Sequence, residues 1–417
     1  MNDFLKNYKS TLLLLGGVIL GALCGIYWPA AARFVKPVGD IFLNLIFMMV
    51  VPLVFFSTAS SICNLRGSGL LGKVLVSSLA VFICMSVIAA IVGWIGVVAW
   101  PLTDPSMASY YMLNEQTAEV AAQNSGSVAV AIVSALTASD FSLLLSKEHL
   151  LALIVFAALF GSAVGAVGEK GKPMEAFVLA GMEVMMKMVR MVMVLAPIGL
   201  GCYFAYTVLS CRNLLNSFFN VFVLYLALTL LFFLIINSLY ILAAGGWQGL
   251  KRYWTEIWVP SATAVGTVSS AATMPATIAA VKRMGVAPDI ADSVIPLGTN
   301  IHKDGSVMGA VFKIAFLMAL LGRPVTGAGT LLMILAVALM EALVLSAVPS
   351  GGFTGEVFIC AVMGFDPKMV GLIMMIGLII DVPATLLNVN SNVVGTVIVD
   401  RIVKRIRKKE ELLEIQK

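Results

Sequence analysis

The stretch "LGTNIHKDGSVMGAVFKIAF", residues 297–316, sets His302, Lys303 and Asp304 side by side, with Gly305 next, in the most apolar half of the chain. An ionisable group costs roughly 2.5–3.5 kcal/mol or more at a bilayer centre, so three in a row mark a place where charge is used. Their chemistry is that of binding: an ammonium to meet a carboxylate, an imidazole that titrates near neutral pH, and a carboxylate to take a cation. Further on, Asp381, Thr385, Asn388 and Asn392 are spaced 4, 3 and 4 residues apart. At about 100° per residue they share one stripe of a helix. One Asn alone reads as helix-packing glue, whereas a carboxylate aligned with hydroxyl and amide groups reads as the lining of a cavity. Glu341 stands in another apolar run and, with Asp304, is an expected ion partner of Lys303; the plainer reading is that Lys303 snorkels to an aqueous edge. No nucleophile–base set and no cluster of metal ligands accompanies these groups, so neither an enzyme nor a cofactor or metal centre is expected.

The elements that must position them are membrane helices. The chain has 417 residues, 60% hydrophobic and 12% charged, with mean hydropathy +1.01. Soluble domains carry about 25% charged residues, so half that value implies a polytopic membrane protein surrounded by lipid. The six cysteines lie in or beside apolar runs without CxxC spacing and read as packing residues. Arg401, Lys404, Arg405, Arg407, Lys408 and Lys409 crowd the C-terminus, and Lys6 and Lys9 precede the first apolar run. In such a chain these are topology signals, not a nucleic-acid surface. They put both termini on the cytoplasmic side of the cell (inner) membrane, with an even number of crossings. Apolar runs cover about 11–28, 41–62, 74–101, 148–168, 177–209 and 214–244, and residues 101–127 are polar enough for an external loop.

After residue 250 the pattern changes. "VPSATAVGTVSSAATMPATIAAVKRMGV" (259–286) has Pro275 in its middle, and "LLMILAVALMEALVLSAVPSGGFTGEVFICAVMGF" (331–365) is interrupted at Pro349, Ser350, Gly351 and Gly352. Each is predicted to break at those residues. Irregular backbone at membrane depth is tolerated only where it is buried or lines an aqueous site, and paired interrupted segments point to a transporter's binding site. Both are therefore expected to be re-entrant hairpins.

The motifs "FLNLIFMMVVPLVFFS", "APIGL", "SSAATMPAT", "PLGTNIHKDGS", "SAVPSGGF" and "DVPATLLNVNSNVVGT" follow one another almost end to end. In that order the chain resembles the dicarboxylate/amino acid:cation symporters, the family of the glutamate and neutral amino acid transporters. The resemblance implies an all-α homotrimer with eight transmembrane helices, two re-entrant helical hairpins and an elevator mechanism. Residues 1–73 and 103–210 would form the scaffold, 74–102 and 211–404 the transport domain, and 405–417 a basic cytoplasmic tail. It assigns Asp381 to a substrate ammonium and Asn388 to amine and carboxylate, with Thr385 and Ser306 nearby. Ser270 matches the α-carboxylate site, and Val348 and Gly352 match the gate of the second hairpin.

The chain also departs from the family. Ala384 stands where acidic-substrate members place an Arg, which implies neutral amino acids or similar small zwitterions as substrate. The seventh-helix motif N-M-D-G-T is replaced by His302, Lys303, Asp304, Gly305 and Ser306. Sodium-ligand places on the third helix fall to Phe82, Met85 and Ser86, the helix-eight Asp becomes Asn392, and the run before the second hairpin's tip becomes Ala342, Leu343, Val344 and Leu345. Hard cations want several oxygens, and this set has lost them. The expectation is therefore a sodium-independent carrier, proton-coupled or exchanging, with coupling through His302, Lys303, Asp304, Glu341, Asn392 and Ser86. The alternative is an acidic amino acid or dicarboxylate symporter in which Lys303 is the substrate's counter-charge. A different class, an anion-conducting channel or membrane sensor, stands behind both.

Overall fold

The computed structural model describes residues 2–63, 70–103, 137–146, 149–210, 214–346, 352–366 and 369–415, and the regular elements among them are helical. Helices α1 (Asn2–Tyr27), α2 (Pro29–Cys63), α3 (Leu70–Ala99), α4 (Leu150–Val167), α5 (Lys172–Met193) and α6 (Ala196–Ser210) make up the first half. Then come α7 (Leu215–Leu231), α8 (Asn237–Glu256), α9 (Trp258–Thr267), α10 (Ser270–Arg283) and α11 (Pro288–Ile301). Helices α12 (Asp304–Leu320), α13 (Ala328–Ser346), α14 (Gly352–Met363) and α15 (Val370–Ile415) complete the chain. The loop expected over 101–127 falls almost wholly outside the described residues.

Contacts between helices form two sets. In one, α1 lies along α6, and α2 packs on α4, α5 and α6. In the other, α15 is the spine, touching α3, α7, α8, α9, α11, α12 and α14, while α12 packs between α3 and α15. The few contacts between the sets include α14 on α2 and α4. Helix α12 is apolar on nearly every side and almost wholly buried, as a helix without a polar face must be.

Among the described residues three helical stretches are long and apolar enough to cross a membrane: Val74–Ala99, Leu215–Glu256 and Val370–Arg407. A further pair, Val155–Val192 and Ala196–Leu209, is bent by 62°. Helices α1 and α2 run on for 26 and 35 residues, more than the roughly 20 residues a crossing needs.

Three breaks matter for the site. Helices α9 and α10 pack on each other as a hairpin. The chain reverses at Val268, which takes the left-handed conformation (φ 48°), and Ser269 then caps α10, its Oγ accepting from the Ala272 N–H at 3.2 Å. The break expected at Pro275 is thus misplaced, since Pro275 lies inside α10. A proline removes one helical hydrogen bond, but chain reversal requires a left-handed residue and a cap, and those stand at 268–269. Helices α13 and α14 also pack together, while their junction, residues 347–351, lies outside the described residues. The third break separates α11 from α12, where His302 (φ −114°, ψ 97°) and Lys303 (φ −134°, ψ 68°) leave the helical region.

The basic segment expected at the C-terminus continues the last helix. Helix α15 runs through 404–405 without interruption to Ile415. Lys404 pairs with Asp400 at 2.7 Å and Arg407 with Asp289 at 2.6 Å. The Arg407 guanidinium beside Asp289 holds that carboxyl below its ordinary range. This surface bridge therefore persists through neutral pH and is lost only in acid, as pH falls through the lowered value.

Candidate functional site

The extended pair His302–Lys303 leaves the first N–H groups of α12 without helical partners, and α15 supplies one. Asn388 Oδ1 accepts from the Ser306 N–H at 3.1 Å, and its Nδ2 donates to Ser306 Oγ at 3.2 Å. Behind this tie, Tyr225 OH on α7 donates to the Gly305 carbonyl at 2.6 Å. A Cβ on Gly305 would lie 2.8 Å from Ala384 Cα, so the backbones of α12 and α15 touch there and only glycine fits. Ala384 is consequently 7% exposed. The next turn of α15 is open: Asp381 is exposed, although Ile380 beside it is buried. Lys303 and Ser306 are half-buried. The Lys303 ammonium lies within Coulombic range of the Asp381 and Glu341 carboxylates. The break thus offers a cation, an accessible carboxylate and a paired hydroxyl–amide within one small region.

The other polar residues of the stripe are more enclosed than Asp381. Thr385 and Asn388 are buried, and Asn392 is turned toward α11, donating to the Ile295 carbonyl at 3.0 Å and to Thr299 Oγ1 at 3.3 Å. Its place is that of a tie holding the end of α11 against α15, not the cavity lining expected from spacing. Truncation leaves that tie unmade, so Asn392→Ala is expected to cost about 1–3 kcal/mol of stability. Thermal unfolding of the detergent-solubilised protein measures it, and an unchanged midpoint would refute the assignment.

The pairing expected between Lys303 and Asp304 is also replaced. Asp304 is buried; its Oδ1 accepts from Ser86 Oγ at 2.7 Å and lies 3.1 Å from His302 Nε2, an electrostatic contact rather than a well-aligned hydrogen bond. The His302 ring stacks on Phe82 with centroids 4.3 Å apart. Met85 is buried in the same region. Phe82 and Ser86 thus join α3 to the α11–α12 break through His302 and Asp304. Ser270 is half-buried as the first residue of α10, which packs on α15, and Gly352 opens α14. Val348 lies outside the described residues.

Two residues escaped sequence reasoning. Lys313 Nζ lies 2.6 Å from Glu356 Oε1 and 3.5 Å from Glu341 Oε1, so the close ion partner of Glu341 is Lys313, with Lys303 farther off. All three are essentially without exposure: Lys313 5%, Glu341 0% and Glu356 1%. Both missed residues interrupt apolar helices, which was the available signal; asking a partner of every intramembrane charge would have found them.

A family model described as "Sodium:dicarboxylate symporter family" matches residues 11–402. Among curated relatives, a C4-dicarboxylate transport protein of Paraburkholderia phymatum is 25% identical over 396 residues, 92% of this chain and 90% of the relative. A proton/sodium-glutamate symport protein of Bacillus subtilis is 26% identical over 398 residues, again 92% and 90%. A C4-dicarboxylate transport protein of Anaeromyxobacter sp. is 27% identical over 380 residues, 88% and 83%.

Proposed function

The chain belongs to the sodium:dicarboxylate symporter family, whose members are transporters and not enzymes, and from that premise we propose that it is a secondary symporter for acidic amino acids. Its family and its long apolar helices make it an integral membrane protein. The observation that carries the substrate reading is the accessible pair of opposite charges at the α11–α12 break, Lys303 and Asp381. Asp381 offers a partner for an ammonium and Lys303 one for a carboxylate, which together suit an acidic zwitterion.

The expectation of a neutral substrate rested on Ala384 and loses its support. Residue 384 is packed against Gly305 rather than open to the break, so the missing Arg there does not describe the accessible surface. The relatives' names specify glutamate and C4-dicarboxylates, which favours the acidic alternative. A dicarboxylate without an amine would set its own charge against Asp381, hence the preference for aspartate or glutamate. Sodium independence likewise finds no support, since the family description and the Bacillus relative both name sodium.

In this reading α1, α2 and α4–α6 are the fixed scaffold of a homotrimer. Helices α3 and α7–α15 carry the substrate across by an elevator motion, with both termini cytoplasmic. Uptake of labelled aspartate, succinate and alanine into proteoliposomes, in sodium and in choline, is the test. Lys303→Met removes one charge-assisted contact, worth about 1.5–3 kcal/mol, so aspartate uptake should fall about 10- to 100-fold while alanine uptake changes far less. Wild-type preference for alanine over aspartate, or aspartate uptake indifferent to Lys303→Met, would overturn the reading.

A further inference from the structure

Lys313 on α12, Glu341 on α13 and Glu356 on α14 form an ion cluster that joins both arms of the second helical pair to the most buried helix. Fully ionised, two carboxylates share one ammonium, which leaves a net negative charge where solvent does not reach. Such a charge is costly unless something compensates it. A single proton on either carboxylate does so and keeps the lysine's two contacts.

The cluster also adjoins the substrate residue. A Cβ on Gly377 would lie 2.7 Å from Glu356 Oε1 and 3.6 Å from Lys313 Cε, so α15 packs directly on the triad there. Asp381 is four residues further along the same helix and therefore on the same face, one turn away. Lys313, Glu356 and Lys303 are all within Coulombic range of Asp381. The other titratable groups facing the triad are Tyr225 on α7 and Cys360 beside Glu356. Residues 41–62 of α2, 74–99 of α3 and 150–167 of α4 contain no charged side chain.

We propose that Lys313, Glu341 and Glu356 form a proton-binding site, loaded together with the substrate at Asp381, through which this carrier couples transport to protons. The charge count gives the reason. Setting aside Asp304, which is held on the far side by Ser86 and His302, Lys303 and Lys313 supply two positive charges against three carboxylates, Glu341, Glu356 and Asp381, a net of −1. An acidic amino acid adds a further −1, and a neutral one adds nothing. In either case the loaded domain crosses an apolar layer more readily with a proton on the triad. The proposal rests on the carrier reading above, but not on which amino acid is carried.

The test uses the full-length protein in proteoliposomes holding a trapped pH dye, with labelled aspartate or alanine, whichever the wild type takes up. Protons moved per substrate molecule are measured in sodium and in choline. The wild type should move about one proton per substrate, by the charge count above, and Glu341→Gln and Glu356→Gln should each bring that ratio close to zero. The combined variant Lys313→Met, Glu341→Gln, Glu356→Gln leaves no charge in the cluster, so it keeps the test usable if a single substitution misfolds, and it too should be uncoupled. For a variant that binds without turnover, substrate titrations in two buffers of different ionisation heat give the same proton number. A wild type that moves no protons, or variants with the wild-type proton ratio, would overturn the proposal. Alanine uptake without aspartate uptake would instead sink the substrate reading and leave the proton ratio to be judged on its own.

Discussion

Lys313→Met should destabilise the fold by about 3–5 kcal/mol, because it leaves Glu341 and Glu356 buried together with their shared cation gone. Methionine fills much of the same space, so the loss is electrostatic and not a cavity effect. The lysine sits 2.6 Å and 3.5 Å from the two carboxylates, and the backbone at Gly355 and Gly377 packs directly against Glu341 and Glu356. Thermal unfolding in detergent reads the effect. Neutralising the two acids in the same chain should recover most of the lost stability, since a buried ion cluster replaced as a unit by uncharged groups is often neutral or better. If Lys313→Met unfolds at the wild-type temperature, the cluster is not enclosed as described.

Asp381→Asn should abolish useful transport of any amine-bearing substrate. It keeps shape and removes charge, and losing one partner of a desolvated ion pair costs about 2–4 kcal/mol, or about 30- to 1,000-fold in apparent affinity. Aspartate and alanine should both be affected, because each presents an ammonium. Succinate, which has none, is the control, and its uptake should hold or rise once the opposing carboxylate is gone. Aspartate uptake within a few-fold of wild type would remove Asp381 from the substrate site.

The parts of this protein legible in one dimension are those governed by local physics. Membrane insertion responds to runs of apolar residues, so 60% hydrophobic composition announced a polytopic chain without any tertiary information. Charges inside such a run identify the working segment, and the His302–Lys303 break lies where the polar motif stood. Helical spacing correctly put Asp381, Thr385, Asn388 and Asn392 on one helix, α15. Spacing alone says nothing of what that helix faces. Its neighbours leave Asp381 open, bury Ala384 against Gly305 and turn Asn392 toward Ile295, and with Ala384 went the argument for a neutral substrate. Partner choice among buried charges is equally non-local. Glu341 and Lys303 both stand out in the sequence, whereas the close contact of Glu341 is with Lys313, a charge embedded in an unbroken apolar helix. The reversal at Val268 rather than Pro275 has the same origin: proline marks a lost hydrogen bond, but the packing of α9 on α10 decides which residue takes the left-handed turn. Local sequence determined which segments enter the membrane and where charge accumulates; the close approach of α12, α13, α14 and α15 decided which charges meet, because electrostatic pairing depends on distance in space and not along the chain.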